Sequence, residues 1–235
     1  MPGPLRMSTR HYRPPLVSIV IPALGDAEAA ERLLAQLPPR PDVEVIVVDG
    51  GRDERLAAVA VRHPHVALMR AAAGRARQMN AGAAAASGEW LLFLHADSRL
   101  PAGWREALAG VEPAVIGGWF RFALDDAAWQ ARIIERLVAW RVRRLRLPYG
   151  DQGLFVRRNT FRTLGEFREL PLLEDVEFVR RLVKSGPVRE LPLPLRTSAR
   201  RYRRDGWLRR SGRNLAIVGL YFAGVSPQRL SRWYS

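Results

Sequence analysis

The sequence predicts an α/β protein: a mostly parallel central sheet flanked by helices, followed by a more helical C-terminal portion. Three observations carry this. Short apolar, strand-like runs alternate with helical periodicity four times in the first hundred residues. An apolar share of 48% in 235 residues can fill the core of one sizeable domain. Polar residues gather where the apolar runs end, and parallel sheets bind ligands at that edge.

Residues 16–21 are apolar and β-branched, and Pro22 is expected to end this first strand. Residues 27–37 follow with helical spacing (Ala30, Leu33, Leu34, Leu37) and stop at Pro38 and Pro39. A second strand is expected over 43–48, turned by Asp49-Gly50-Gly51, then a helix over 52–62. His63-Pro64-His65 breaks that helix before a short strand at 66–70. An alanine-rich helix over 75–86 closes at Ser87-Gly88, and a fourth strand spans 90–94.

The second half is more mixed. Residues 115–124 read as a strand in which Gly117-Gly118 permits a bulge or a close backbone approach. Residues 125–146 form a long basic amphipathic helix with Trp129, Ile133, Leu137 and Trp140 on one side. Packing of that stripe on the domain's own core is favoured over contact with an anionic membrane. A strand is expected near 153–156, a helix over 176–185 entered through Glu174-Asp175, and a last apolar helix over 214–223. No internal repeat or long linker divides the chain. Residues 1–15 lack a secretory apolar core and read as a loose arm before one domain, 16–235.

Composition narrows the chemistry. There is no cysteine, which excludes disulfides, thiolate metal sites and cysteine nucleophiles, and suits a cytoplasmic protein. The net charge of +15 is almost all arginine, since Lys184 is the one lysine. Such a field favours polyanionic partners: a nucleoside diphosphate, anionic lipid or nucleic acid. With no zinc-finger spacing and no aromatic RNA-binding signature, nucleic acid is not expected. The late apolar stretch at 215–225 is too short to span a bilayer.

The candidate site residues sit at predicted strand and helix ends. His95 and Asp97 follow the fourth strand, and alternation would place them on one side of an extended chain. Together they could hold Mn²⁺ or Mg²⁺ against a diphosphate, imidazole favouring Mn²⁺. Asp49 could accept hydrogen bonds from a ribose or base, or serve only as an Asp-Gly turn. A dehydrogenase would also place an acid there, but needs G-x-G-x-x-G after its first strand; the chain has Pro22-Ala23-Leu24-Gly25-Asp26-Ala27. Arg75, Arg77 and Gln78 open a helix, a setting that suits a diphosphate. Glu174 and Asp175 could offset a helix dipole or supply a general base. Asp151, in a glycine turn, could contact a sugar or acceptor.

In order, VSIVIPAL, VIVVDGG, GRARQMNAG, WLLFLHAD, YGDQGLFVRR and LLEDVEFVRRL resemble the family 2 glycosyltransferases, which have the Rossmann-like GT-A fold. The likeness is nearest to the small soluble branch found beside radical-SAM and arsenosugar or selenium-related genes. It implies an inverting transfer of a hexose from a UDP- or GDP-sugar to a hydroxyl-bearing acceptor, assisted by a divalent cation. Residues 16–100 would form the nucleotide-binding half and 101–235 the acceptor side. Pro22 and Asp49 would line the nucleoside pocket, and Arg75 and Gln78 would approach the diphosphate or sugar. Asp97 would be the main metal ligand, with His95 in place of the first acid of the family's D-x-D. Asp175, beside Glu174, would be the catalytic base. Asp151, Gln152, Arg200 and Arg201 would meet acceptor or diphosphate. A nucleotidyltransferase on a similar sheet, or a non-catalytic module binding nucleotides or anionic lipid, are the alternatives; three carboxylates at ligand-facing ends weigh against the module.

Overall fold

A computed structural model describes residues 16–234, so the arm expected over 1–15 lies outside the described residues. The first half alternates as expected: β1 (Val17–Ala23), α1 (Ala27–Leu34), β2 (Val43–Asp49), α2 (Glu54–Arg62), β3 (Val66–Arg70), α3 (Arg75–Ala85) and β4 (Trp90–Phe93). β1 lies parallel between β2 and β4, and β3 extends the sheet beyond β2. Alternation sends Val17, Ile19 and Ile21 into a core shared with Leu33 of α1 and Leu56 of α2. Val20, Ile46, Leu91 and Phe93 point the other way, against Ala76 and Met79 of α3. Each such side chain buried is worth roughly 1.5–3 kcal/mol. A one-residue slip would expose a whole row, so register is firmly set.

Several boundaries differ from the sequence expectation. β1 runs through Pro22 to Ala23, because its pairing with β4 stops at Val20↔Phe93. The donor that Pro22 lacks therefore faces no β4 partner. α1 ends at Leu34, and residues 36 and 37 tighten into i→i+3 bonds ahead of the two prolines. α2 begins at Glu54 because Asp53 caps it, accepting the Arg55 N–H at 3.0 Å.

The second half contributes β5 (Ser98–Arg99), α4 (Trp104–Ala109), β6 (Gly117–Leu124), α5 (Trp129–Leu145), a 3₁₀ turn at Gly150–Gln152, β7 (Phe155–Arg157), α6 (Arg158–Thr163), α7 (Glu174–Ser185), β8 (Val188–Thr197), α8 (Arg200–Asp205), α9 (Trp207–Phe222) and α10 (Pro227–Tyr234). Among the described residues all eight strands join one sheet, in the order β3-β2-β1-β4-β7-β6-β8-β5. β7 is antiparallel to β4 and β6, and β5 to β8, while β6 and β8 run parallel. Gly118 is required by close approach, as the glycine pair suggested: a Cβ there would lie 1.9 Å from the Arg189 carbonyl oxygen.

β8 has no counterpart in the sequence reading. Its prolines, Pro192 and Pro194, argue against an interior strand. The fold accommodates them because the β6–β8 register shifts between Phe120 and Arg121, and β5 covers only Arg196 and Thr197. α5 starts later than expected, since Asp126 holds the Ala128 N–H at 2.9 Å in a turn ahead of it. Its apolar stripe is a larger correction. Ala131, Ile134 and Val142 face the core, whereas Trp129, Ile133, Leu137 and Trp140 are 68, 43, 59 and 57% exposed. Among the described residues, no helix is long and apolar enough to cross a membrane.

Candidate active site

Sheet topology assembles the site. β1 to β4 end on one edge, where β4 leads into a tight turn in which the Ser98 N–H donates to the His95 carbonyl at 3.0 Å. That turn, and not strand alternation, brings His95 and Asp97 to one cleft, because β4 ends at Phe93. Antiparallel pairing of β7 with β4 sets the Tyr149–Gln152 turn beside them. The pairing Ser98↔Thr197 delivers the chain after β8, with Ser198 and Arg201, to the same place. The start of α7 and one face of α9 complete the walls.

Asp175 is fixed by backbone on both oxygens. Oδ1 accepts the Val176 N–H at 2.8 Å, and Oδ2 accepts the Gly150 N–H at 2.5 Å. Leu173 enters α7 at φ +67, a left-handed conformation that costs a non-glycine residue about 1 kcal/mol or more. This kink turns the first residues of α7 toward the cleft. Gly150 leaves room for both neighbours: a Cβ there would stand 2.9 Å from Asp175 Oδ2 and 3.2 Å from His95 Nε2.

The cleft mixes acids with arginines. Burial, reinforced by the Arg75 and Arg201 cations, pushes the His95 pKa down to about 3, so its imidazole is neutral. Burial raises the Asp97 carboxyl, against the pull of Arg201. Burial lifts Asp151 to about 6; Arg141 opposes this, while Asp175 and Asp97 add to it. Glu174 is buried and raised by burial, and its Oε1 lies 3.1 Å from Arg75 Nε. It anchors Arg75 at the cleft wall and does not line the cleft itself.

A divalent cation fits this donor set in part. A neutral imidazole and a carboxylate are suitable ligands for Mn²⁺, and Mg²⁺ would rely on the carboxylate. Among the described residues, no three histidine or carboxylate side chains come close enough to hold an ion alone. The remaining oxygens would have to come from a substrate, as with phosphate-bound ions.

Other sequence candidates lie elsewhere. Gln78 is 3% exposed, and its Nε2 donates to the Ala23 and Val48 carbonyls at 2.8 Å each, clamping the ends of β1 and β2. With its amide hydrogens spent on backbone, it does not approach the cleft. Gln152 is equally buried, donating to the Phe120 carbonyl at 3.2 Å and accepting the Tyr149 N–H at 3.3 Å. Asp49, 2% exposed, accepts the Gly51 and Asp53 N–H groups at 2.8 and 2.9 Å, so it organises the turn after β2. Pro22 is half-buried in β1. Arg200 is exposed, 3.8 Å from Asp26, while its neighbour Arg201 lines the cleft.

The sequence reading missed Tyr149, Arg210 and Asn214, which all line the cleft. Tyr149 stood beside the noted Gly150-Asp151 and is covered by Arg141, whose guanidinium lies 3.5 Å from the ring centroid. Arg210 lies in a stretch where arginines crowd the sequence (Arg200, Arg201, Arg203, Arg204, Arg209, Arg210 and Arg213), so nothing in the sequence hints at which one turns inward. Asp205 makes the choice, meeting Arg210 at 2.8 Å, Arg204 at 2.7 Å and Arg213 at 3.5 Å.

Arg204, and after it Arg210, lower the Asp205 pKa to about 2. A depressed carboxylate contributes stability above its unfolded pKa near 3.8, and that contribution fades as pH falls through about 2. Asp205→Asn is therefore expected to melt below wild type between pH 5 and 7, on the order of a degree or more. The two melting curves should converge near pH 2. A pH-independent gap would mean the loss comes from packing and not from charge.

Residues 18–160 match the sequence model described as Glycosyl transferase family 2. A comparison with curated proteins finds no match. Solved structures of similar fold include crystal structures of S. aureus TarS. TarS 1-349 has a TM-score of 0.61 at 16% identity, over 78% of this chain and 60% of that one. TarS 1-349 in complex with UDP-GlcNAc has a TM-score of 0.59 at 17% identity, over 77% and 58%. TarS itself has a TM-score of 0.59 at 17% identity, over 77% and 36%. The likeness establishes the GT-A fold, and the chain spans about 60% of the length of TarS 1-349.

Proposed function

Because the chain belongs to glycosyl transferase family 2, we propose that it transfers a hexose from a nucleoside diphosphate sugar, UDP- or GDP-linked, to an acceptor hydroxyl with inversion. The motif order favours the small branch found beside radical-SAM and arsenosugar or selenium-related genes. Residues 16–100 serve the donor and 101–235 the acceptor. One observation carries the reading most: Asp175, oriented by two backbone N–H groups, shares a cleft with His95, Asp97 and arginines. The complex of TarS with UDP-GlcNAc supports a nucleotide-sugar donor on this fold.

In this reading the acceptor oxygen forms a bond to the anomeric carbon as the bond to the diphosphate breaks. Asp175 receives the hydroxyl proton. The bonding pair leaves with the nucleoside diphosphate, whose growing charge faces Arg75 and Arg201. Glu174 keeps Arg75 in position. Asp49 and Gln78 act indirectly, by shaping the β1 and β2 ends where the nucleoside lies beside Pro22. Asp151 and Arg210 border the acceptor side. His95 and Asp97 would hold Mn²⁺ or Mg²⁺, which supplies charge neutralisation at the diphosphate.

Stereochemistry tests the mechanism. Proton NMR of the first product formed is expected to show the anomeric configuration opposite to that of the donor. Retention would remove Asp175 as a base acting on the acceptor. Release of pyrophosphate in place of a nucleoside diphosphate would mark nucleotidyl transfer.

A further inference from the structure

We propose that the outward face of α5, with the basic groove at its C-terminal end, docks on the surface of an anionic lipid bilayer. Trp129, Ile133, Leu137 and Trp140 follow three- and four-residue spacing and fall on one stripe of the helix. They are exposed, although the opposite face of α5 already packs on Phe122 and Leu124. Two exposed tryptophans and two exposed aliphatic side chains on one stripe form an apolar strip that the protein's own core leaves uncovered.

The charges beside the stripe select the occupant. Arg136, Arg143 and Arg144 are exposed and flank it on the same helical face. Glu135, the one acid of α5, is turned inward: it accepts the Leu124 N–H at 2.7 Å and meets Arg132 at 2.8 Å. The outward face thus presents aromatic, aliphatic and guanidinium groups without a carboxylate. Tryptophan favours the boundary between acyl chains and headgroups, and arginine stems can lie along apolar surface with the charge in the headgroup layer.

The surface continues past the end of α5. Leu145 and Phe222 of α9 line one groove with Arg146, Arg180 and Lys184. Leu208 and Leu215 of α9, 89 and 68% exposed, precede Phe222 at seven-residue intervals. The other face of α9 lines the cleft through Asn214, Ile217 and Val218. A second copy of the chain is a poorer occupant. A two-fold contact through α5 would press two arginine-flanked faces together, with no carboxylate on either to offset them, in a chain of net charge +15.

Vesicle flotation with the purified protein tests this without any donor or acceptor. The protein is expected to float with phosphatidylcholine vesicles containing about 30% phosphatidylglycerol, and not with pure phosphatidylcholine. Its tryptophan emission should shift to the blue on binding. The double variant Trp129→Ser/Trp140→Ser is expected to bind about tenfold more weakly or worse. Arg136→Gln, Arg143→Gln and Arg144→Gln should each cost roughly fivefold. These side chains are exposed, so wild-type melting is expected. Should the tryptophan pair melt early, the arginine variants carry the test. Absence of binding to the anionic vesicles at low salt, or full binding by the variants, would overturn the proposal. So would a solution dimer that the tryptophan pair dissociates.

Discussion

Asp175→Asn is expected to lower turnover by about 10³-fold while donor affinity stays within about threefold. The asymmetry follows from geometry. Both carboxylate oxygens are held by backbone N–H groups, from Val176 and Gly150, so the side chain is aimed without help from a ligand. An amide keeps the size and one acceptor but cannot take a proton at neutral pH. One cost falls on structure, because the amide nitrogen would face the Gly150 N–H or the Val176 N–H. A shift of the 149–152 turn would then disturb Asp151 and Tyr149 as well. Stopped-time assays beside donor titration separate the cases. Lost turnover with retained donor binding supports the base; joint loss moves Asp175 into binding.

Asp97→Asn is expected to cost at least ~10²-fold in turnover and to remove any metal-promoted gain in donor affinity. Asp97 is the carboxylate nearest in sequence to the neutral His95, and both line the cleft. Burial already works against its charge, with Arg201 opposing that effect. A divalent cation would remove the mismatch, and an amide would bind it far less tightly. Titration of donor with Mn²⁺, Mg²⁺ or EDTA measures the effect. Equal donor binding by variant and wild type in Mn²⁺ would take Asp97 out of the ligand role.

The first four strands were legible because each is a short apolar run bounded by turn residues, β-branched and buried on both faces in β1 and β2, aromatic and leucine-rich in β4. β8 was not, because Pro192 and Pro194 erase a strand signal that a register shift rescues only in three dimensions. α5 shows the limit of periodicity: it located the apolar stripe correctly, but not which of two apolar faces meets the core. Among the site residues, His95, Asp97, Asp151, Asp175, Arg75 and Arg201 reach one cleft. Gln78, Gln152 and Asp49 looked equivalent in the sequence, yet the fold uses their polar atoms on backbone groups. A polar residue at a strand end reads the same whether it serves the backbone or a ligand. Arg210 was hidden for the converse reason, since its inward turn depends on Asp205 and on how α9 packs.

The most direct test is isothermal titration of the wild-type protein with UDP-, GDP- and dTDP-sugars, each with Mn²⁺ and with EDTA. One donor is expected to bind in the micromolar to submillimolar range, more tightly with Mn²⁺, and to be displaced by its own nucleoside diphosphate. Failure of every donor to bind at millimolar concentration in Mn²⁺ would contradict a donor site at the β4 edge.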